Sequence, residues 1–495
     1  MLSHGLPEHL CSAMDRISGG IFSKEMGQMA NGFYYDVPNN DMPTVIFLFC
    51  FMVLFVFYVL TILRTERVER QKGTEKYALF WGCFFAVIFR LMVLPSELIH
   101  ENDIYRYLWD GKVFKNGINP YKYAPADLFM YEKGMTEDYY DPYWEVILKH
   151  KVFHAEDQKR LDRLIQLRDE NPTFYQRIGH WEVPTIYPPL AEGIFLLSSY
   201  LREDSILFMK TIFVFFDLGV VVLIIFLLKH FQLNPLYSLV YSWSPLVVKE
   251  IPNSGHYDSI AIFLTLLAIL VFLEHHRLMG TAFLALATLT KFFSVILPPI
   301  FIRPIKIKHI SFFACILAIA YIPFIVWDQA GGRGVFEGLM TYNQYWSYNS
   351  SIFALLYWMS DHYWPFMTGS LFPTKVVCGV LYLFSLFYIF MRKENALGKI
   401  HQCLWALGGL FLLSPVGDPW YFCWTIPFLC FFRYRSWILL SGLLALSYLN
   451  FHSDMAIVNR EFFHIPFTSW VIYIPFYLVL TWEIIIHPSY VRGPS

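Results

Sequence analysis

Charge is what this chain has least of. Of its 495 residues only 16% are Asp, Glu, Lys or Arg, while 56% are hydrophobic; an ordinary soluble domain carries about 25% charged residues. The net charge is −1, so there is no basic excess to hold a polyanion, and nucleic acid is excluded as a partner. Cysteine is thin too. The eight cysteines are scattered, mostly inside apolar runs such as those around Cys50 and Cys83, and none forms a CxxC pair. No disulfide framework follows from such spacing. Residues 1–42 lack the short apolar core and small-residue cleavage site of a signal peptide. There is no internal repeat and no low-complexity linker.

What the chain does have is long apolar runs. A bilayer asks for about 20 apolar residues per helix. Residues 44–63, 78–98, 205–228, 257–274, 309–327, 374–391, 400–415, 419–433, 436–450 and 468–486 supply them, with 188–201, 235–250 and 278–302 as weaker candidates. The expected fold is an all-α polytopic membrane bundle of about 11–13 transmembrane helices. Lys and Arg crowd the loops 64–76, 303–308, 391–393 and 433–435, which predicts that these face the cytoplasm. An N-terminal segment (1–43) then precedes two helices (44–98) and a long outer loop (99–187). The remaining bundle (188–486) has outer loops at 328–350, 414–421 and 451–467, and a cytoplasmic tail at 487–495. If 188–201 lies along the membrane and 278–302 dips in and returns, the loop 253–259 also faces outward; strict alternation would put it inside. Within the outer loop, 143–190 reads as amphipathic helix, with Val146, Leu161, Leu164, Ile165 and Leu167 recurring among charges until Asn171-Pro172 breaks it. Such helices rest on bilayer surfaces.

A dense polar cluster, "HENDIYRYLWDGKVFKNGINPY" (100–121), follows the second apolar run. On a helix, Asp103, Arg106, Tyr107 and Asp110 share one face. The plain reading is a solvated face stapled by Asp103–Arg106 and Arg106–Asp110 pairs, each worth about 0.2–0.5 kcal/mol. Its position at a membrane mouth, among aromatics, argues instead for partly desolvated carboxylates suited to act as bases.

The stretch "ENDIYRYLWDGKVFKNGINPYKYAPADL" resembles the first outer loop of the GT-C superfamily of membrane glycosyltransferases, in particular the bacterial branch that uses polyprenyl-phosphate mannose. "TIYPPLAEGIF" (185–195), "NSGHYDSIAIFLTLLAI" (253–269), "TKFFSVILPPIF" (290–301) and "LSPVGDPWYFCWTIPFL" (413–429) are similar to that branch's further motifs, in the same order. Ser294 departs from the usual proline, and the helix 44–63 is additional to the family's minimal set.

The resemblance implies a GT-C-like bundle and an inverting transfer of a sugar, with mannose expected, from a polyprenyl-phosphate donor to an acceptor hydroxyl on a glycan or lipid. The reaction is expected at the outer face of a bacterial inner membrane, the endoplasmic reticulum being the other setting. It points to Asp103 as general base, with Asp110 and then Glu101 as alternatives. Arg106, Lys112, His256, Lys291 and Arg333 are candidate ligands of the donor phosphate, and Tyr107, Tyr187, Asp258, Asp418, Trp420 and Tyr421 of the sugar or acceptor.

Each has a plainer alternative. Asp258 begins an apolar helix and suits a cap, "YPP" suits a helix start, and Trp420 and Tyr421 suit an interfacial belt. Asp217 and Lys291, charges inside apolar runs, either pair with each other or leave Lys291 free for phosphate. His100, Glu101 and Asp103 lie too close together to form a ligand set on one helix, so no metal and no cofactor are expected beyond the lipid-phosphate sugar as co-substrate. The rival class is a transporter or flippase of a lipid-linked sugar, for which repeats and midplane binding residues are the mark.

Overall fold

The computed structural model describes residues 42–68, 75–141, 146–148, 153, 155–302, 306–327, 334–363, 370–452, 461–462 and 465–486. The protein is an integral membrane protein built almost wholly of helices, and among the described residues seven helices are long and apolar enough to cross a bilayer. Arg333 lies outside the described residues, as do 1–41 and 487–495.

Two long helices open the bundle, α1 (Met42–Val68) and α2 (Glu75–Val93). Where α2 ends, the chain leaves the bilayer at what is called here the upper rim. There it forms α3 (Asp103–Lys115), α4 (Pro125–Glu132), the short antiparallel pair β1 (Tyr139–Asp141) and β2 (Val146–Leu148), α5 (Ala155–Glu170) and α6 (Pro189–Leu201). The amphipathic helix therefore starts at Ala155, later than the sequence suggested. Val146 belongs to β2, while Leu161, Leu164 and Leu167 are buried as the helical spacing requires.

Pro189 occupies the first position of α6, where its missing N–H costs nothing. This helix does not cross. Tyr187, just before it, meets Tyr107 of α3 at 5.1 Å, and at its far end the Ser199 carbonyl accepts from Lys115 Nζ at 3.2 Å. Both ends thus stay beside α3. Gly111 lets the two backbones approach so closely that any Cβ there would strike the Phe195 carbonyl.

The long helix α7 (Ile206–His230) starts at the upper rim, with Ser205 as its cap. Lys210 there donates to the Ser96 carbonyl at 2.9 Å. Residues 235–253 return in four short helical pieces, with Pro245 and Pro252 among them. The chain then bends by 117° into α8 (Asp258–Leu273). Gly255 makes the bend with φ +75°, and Ile104 packs where a Cβ would be.

Next, α9 (Arg277–Thr290) rises to Lys291, and residues 292–301 run back down. Phe301 then stacks on Phe272 at 5.2 Å, so the segment 277–301 enters and leaves by the same rim. Helix α10 (Ile307–Val326) rises to the upper rim, where Asn119 Nδ2 donates to the Phe324 carbonyl at 3.0 Å. Helices α11 (Glu337–Tyr345) and α12 (Ile352–Tyr363) lead into the long pair α13 (Phe372–Met391) and α14 (Ala396–Leu413).

Residues 419–432 descend in short turns, α15 (Arg435–Leu443) and the pieces after it climb to His452, and α16 (Phe467–Ile486) descends. The lower rim is marked by Arg433, 3.5 Å over the Tyr237 ring, and by Glu483, which accepts the Arg435 and Ser436 backbone N–H groups at 2.7 and 3.1 Å. The passages 419–433 and 436–450, which the sequence shows as spans, and the weaker candidate 235–250 are thus broken helices. Irregular backbone of this kind survives at bilayer depth only where protein surrounds it.

Candidate functional site

At the upper rim, α3, the 249–258 bend, the 277–301 hairpin and the 414–424 segment converge on one polar chamber. The approach to α3 is strained. His100 adopts φ +68°, a region that costs a non-glycine residue about 1–3 kcal/mol. It is held there by Thr44 of α1 (Oγ1 to Nε2, 3.3 Å) and by stacking on Tyr448 at 5.0 Å. The turn delivers Glu101 and Asp103 to the chamber.

Asp103 is the carboxylate with an open face, its side chain 32% exposed. Its Oδ2 accepts from Tyr107 Oη at 3.4 Å and lies 4.0 Å from His256 Nδ1. Behind it, His256 is fully buried. Its ring stacks on Trp420 at 4.4 Å, and Nε2 stands 3.3 Å from Glu250. Glu250 also accepts from Tyr448 Oη and lies 3.4 Å from Lys249 Nζ, which itself sits 4.0 Å over the Tyr448 ring. The loop 253–259 therefore belongs to the same rim as α3. Asn253 fastens it there, accepting from the Ile99 N–H at 3.1 Å and donating to Ser96 and Glu97.

A second pair lies alongside. Lys291 Nζ is 2.8 Å from Asp258, whose other oxygen accepts from Trp424 Nε1 at 2.5 Å. Asp258 is the first residue of α8, one past the N-cap position held by Tyr257, and its two oxygens accept from Lys291 and Trp424 in place of the helix N–H groups. Lys291 sits in an aromatic cage, over Tyr257 at 4.6 Å and Tyr421 at 5.3 Å. Tyr421 in turn meets Tyr342 at 2.9 Å, hydroxyl to hydroxyl. Asp217 does not reach Lys291. It pairs with Arg90 at 2.5 Å and accepts from Tyr241 at 2.6 Å, deep in the bundle.

The chamber is crowded with acids. Burial pushes Glu101 well above the usual carboxylate range, and Glu250, Asp103 and Asp418 add to this while Lys249 opposes it. Burial does the same to Asp418, with Asp103 and Glu250 contributing and Lys291 opposing. Tyr107 and Tyr187 are also pushed far up by burial, which keeps their hydroxyls neutral and able to donate.

The remaining candidates of α3 face elsewhere. Arg106 and Asp110 are buried and locked together at 2.9 Å, with Arg106 also donating to the Val183 carbonyl at 2.8 Å. Burial lifts Asp110 against the pull of Arg106. Lys112 is enclosed by Glu170, Glu203 and Asp204 at 3.1–3.4 Å, on the side turned to α5 and α6. Asp103 and Tyr107 are the α3 residues that reach the chamber's polar groups. Missed in the sequence were Lys249, Glu250, Tyr257, Trp424 and Tyr448. The signal for the first two was plain: adjacent charges inside an apolar run are usually functional.

The chain matches no known protein-family profile and no curated protein sequence. The chamber's chemistry has to be read from its own residues. It offers one open carboxylate, one lysine in an aromatic cage, a buried His–Glu pair, and hydroxyls and rings suited to a polyol. Among the described residues no group of three or more His, Cys, Asp or Glu side chains is arranged to hold a metal ion.

Proposed function

We propose that the protein is an inverting glycosyltransferase that takes a sugar, with mannose as the expected one, from a polyprenyl-phosphate donor. The acceptor is a hydroxyl of a glycan or lipid, and the reaction runs at the upper rim. The observation that carries this reading is the placement of Asp103. It is an open carboxylate at a membrane mouth, within one chamber with Lys291 and its aromatic cage.

The chemistry fits such a chamber. The acceptor oxygen attacks the anomeric carbon and gives its proton to Asp103. The bond from that carbon to the phosphate oxygen breaks, and its electron pair leaves with the lipid phosphate. A single displacement through an oxocarbenium-like state needs one base and no carboxylate nucleophile. A cation near the departing phosphate, the role assigned to Lys291, replaces a general acid. Trp420, Tyr421, Tyr187 and Tyr107 supply faces and hydroxyls for sugar and acceptor. Basic residues Lys306, Lys308, Arg392, Lys393, Arg433 and Arg435 flank span ends at the opposite rim, which favours an outward-facing chamber. A bacterial inner membrane is the setting expected from the motif resemblance. Charge gathered at one rim, around an accessible acid, supports an enzyme over a lipid-linked-sugar transporter.

The test is transfer of radiolabelled mannose from polyprenyl-phosphate mannose by the purified protein in lipid. Transfer by the wild type and its loss in Asp103→Asn, with donor binding retained, support the reading. Near-normal transfer by Asp103→Asn overturns the role of Asp103.

A further inference from the structure

A line of contacts runs from the first helix to the proposed base. Thr44 of α1 meets His100 at 3.3 Å, and His100 stacks on Tyr448 at 5.0 Å. Tyr448 donates to Glu250, Glu250 lies 3.3 Å from His256 Nε2, and His256 Nδ1 lies 4.0 Å from Asp103 Oδ2. Phe47, also on α1, packs edge-on against both His100 (4.9 Å) and Tyr448 (5.7 Å). Thr44, Glu250, His256 and Tyr448 are all at most 1% exposed, so the line is a packed internal structure.

We propose that His256 is a positioning residue for Asp103, held in place by this chain of contacts anchored in α1. His256 and Tyr107 both address Oδ2 of Asp103, which leaves Oδ1 as the oxygen that faces an acceptor hydroxyl. The imidazole is held in its plane by stacking on Trp420, and its far nitrogen stands 3.3 Å from Glu250 without a hydrogen bond. A carboxylate whose side chain is one-third exposed is otherwise free to rotate about χ2, a soft torsion. Contacts of about 4 Å before substrate binds are of the kind that tighten in a reacting complex. The helix α1, which the resemblance implies is additional to the family's minimal set, thereby becomes part of the site's scaffold.

The proposal rests on the transferase reading for its purpose but not for its test. In the full-length protein carrying ¹⁵N-labelled histidine, the ring signals of His256 are assigned by their loss in His256→Gln. They are expected to shift in Asp103→Asn, Glu250→Gln and Thr44→Val, and to stay put in Lys133→Ala, a change at an exposed site. In the transfer assay, Thr44→Val and Glu250→Gln are expected to lower kcat by about 100-fold, the scale of a 1 Å misplacement, with KM for polyprenyl-phosphate mannose unchanged; Thr44→Ser restores the rate. Unshifted His256 signals in Asp103→Asn, or in Thr44→Val, overturn the chain. If the wild type transfers no sugar, the transferase reading fails, and the ring signals still decide whether the chain exists.

Discussion

The guanidinium of Arg90 on α2 lies 2.5 Å from the carboxylate of Asp217 on α7, and neither side chain is exposed. Tyr241 completes the carboxylate's shell, and the Ser242 carbonyl accepts from the guanidinium at 2.7 Å. A charge pair this enclosed is a structural bolt. Asp217→Asn or Arg90→Gln leaves one charge without its counterpart, and each is expected to destabilise the protein by about 3–5 kcal/mol. The paired replacement Arg90→Met with Asp217→Leu is expected to be much milder. Thermal unfolding in detergent, followed for all three, checks the ordering.

Two acids on α3 should behave in opposite ways. Asp110 is buried against Arg106, so Asp110→Asn is expected to cost about 3 kcal/mol by stranding the guanidinium. Asp103→Asn removes no ion pair of that kind. Its melting temperature should stay close to wild type while transfer falls by about 10²–10⁴-fold, the usual contribution of a general base. A variant pair in which both lose stability equally contradicts this division of roles.

Under the proposed function, Lys291 is the cation beside the departing phosphate. Lys291→Met is expected to lower kcat by about 100-fold, as removal of one charge-stabilising donor commonly does, while Lys291→Arg keeps part of the rate. The comparison is made by single-turnover release of radiolabelled lipid phosphate. Equal rates for Met and Lys at that position would remove Lys291 from the chemistry.

Glu101 and Asp418 give stability a pH dependence of defined sign. Burial raises both carboxyls in the folded state, so the folded protein holds protons that the unfolded chain has released. Their ionisation therefore weakens the fold as pH rises from the ordinary carboxylate range through the raised values. Glu101→Gln and Asp418→Asn are expected to raise the melting temperature at pH 7–8, and the gain should vanish as pH is lowered toward about 4. Melting curves of wild type and variants across that range provide the check.

Sidedness is open to direct measurement. Cysteines placed at the exposed positions Lys133 and Lys393 lie at opposite rims. A membrane-impermeant thiol reagent applied to intact cells should label the first and spare the second. Labelling of Lys393→Cys alone would put the chamber in the cytoplasm and end the proposed function.

Much of the bundle was legible because long apolar runs have a single use. Helices α1, α2, α7, α10, α13, α14 and α16 follow the sequence closely. The broken passages were harder, since proline interrupts a span without saying whether the chain goes on or turns back. The sequence offered both paths for 278–302, and the Phe272–Phe301 stack decides for a return. In the site, local spacing placed Asp103, Arg106, Tyr107 and Asp110 on one helix face; the fold turns Asp103 and Tyr107 to the chamber and pairs Arg106 with Asp110 away from it. Partners far apart in the chain were out of reach. Nothing near Asp217 names Arg90, and nothing near Glu250 names Tyr448; both pairs arise from helices meeting in space.

The hairpin at 277–301 carries a consequence for how the protein is made. Each of its arms is too short to span the hydrocarbon layer, and its turn places an ammonium group beside Asp258 inside the bundle. Such a segment has little cause to leave the insertion machinery for lipid by itself. It must wait for α8 and α10 to provide a protein-lined berth, so the polar chamber can only be completed late in biogenesis, after the surrounding walls have been laid.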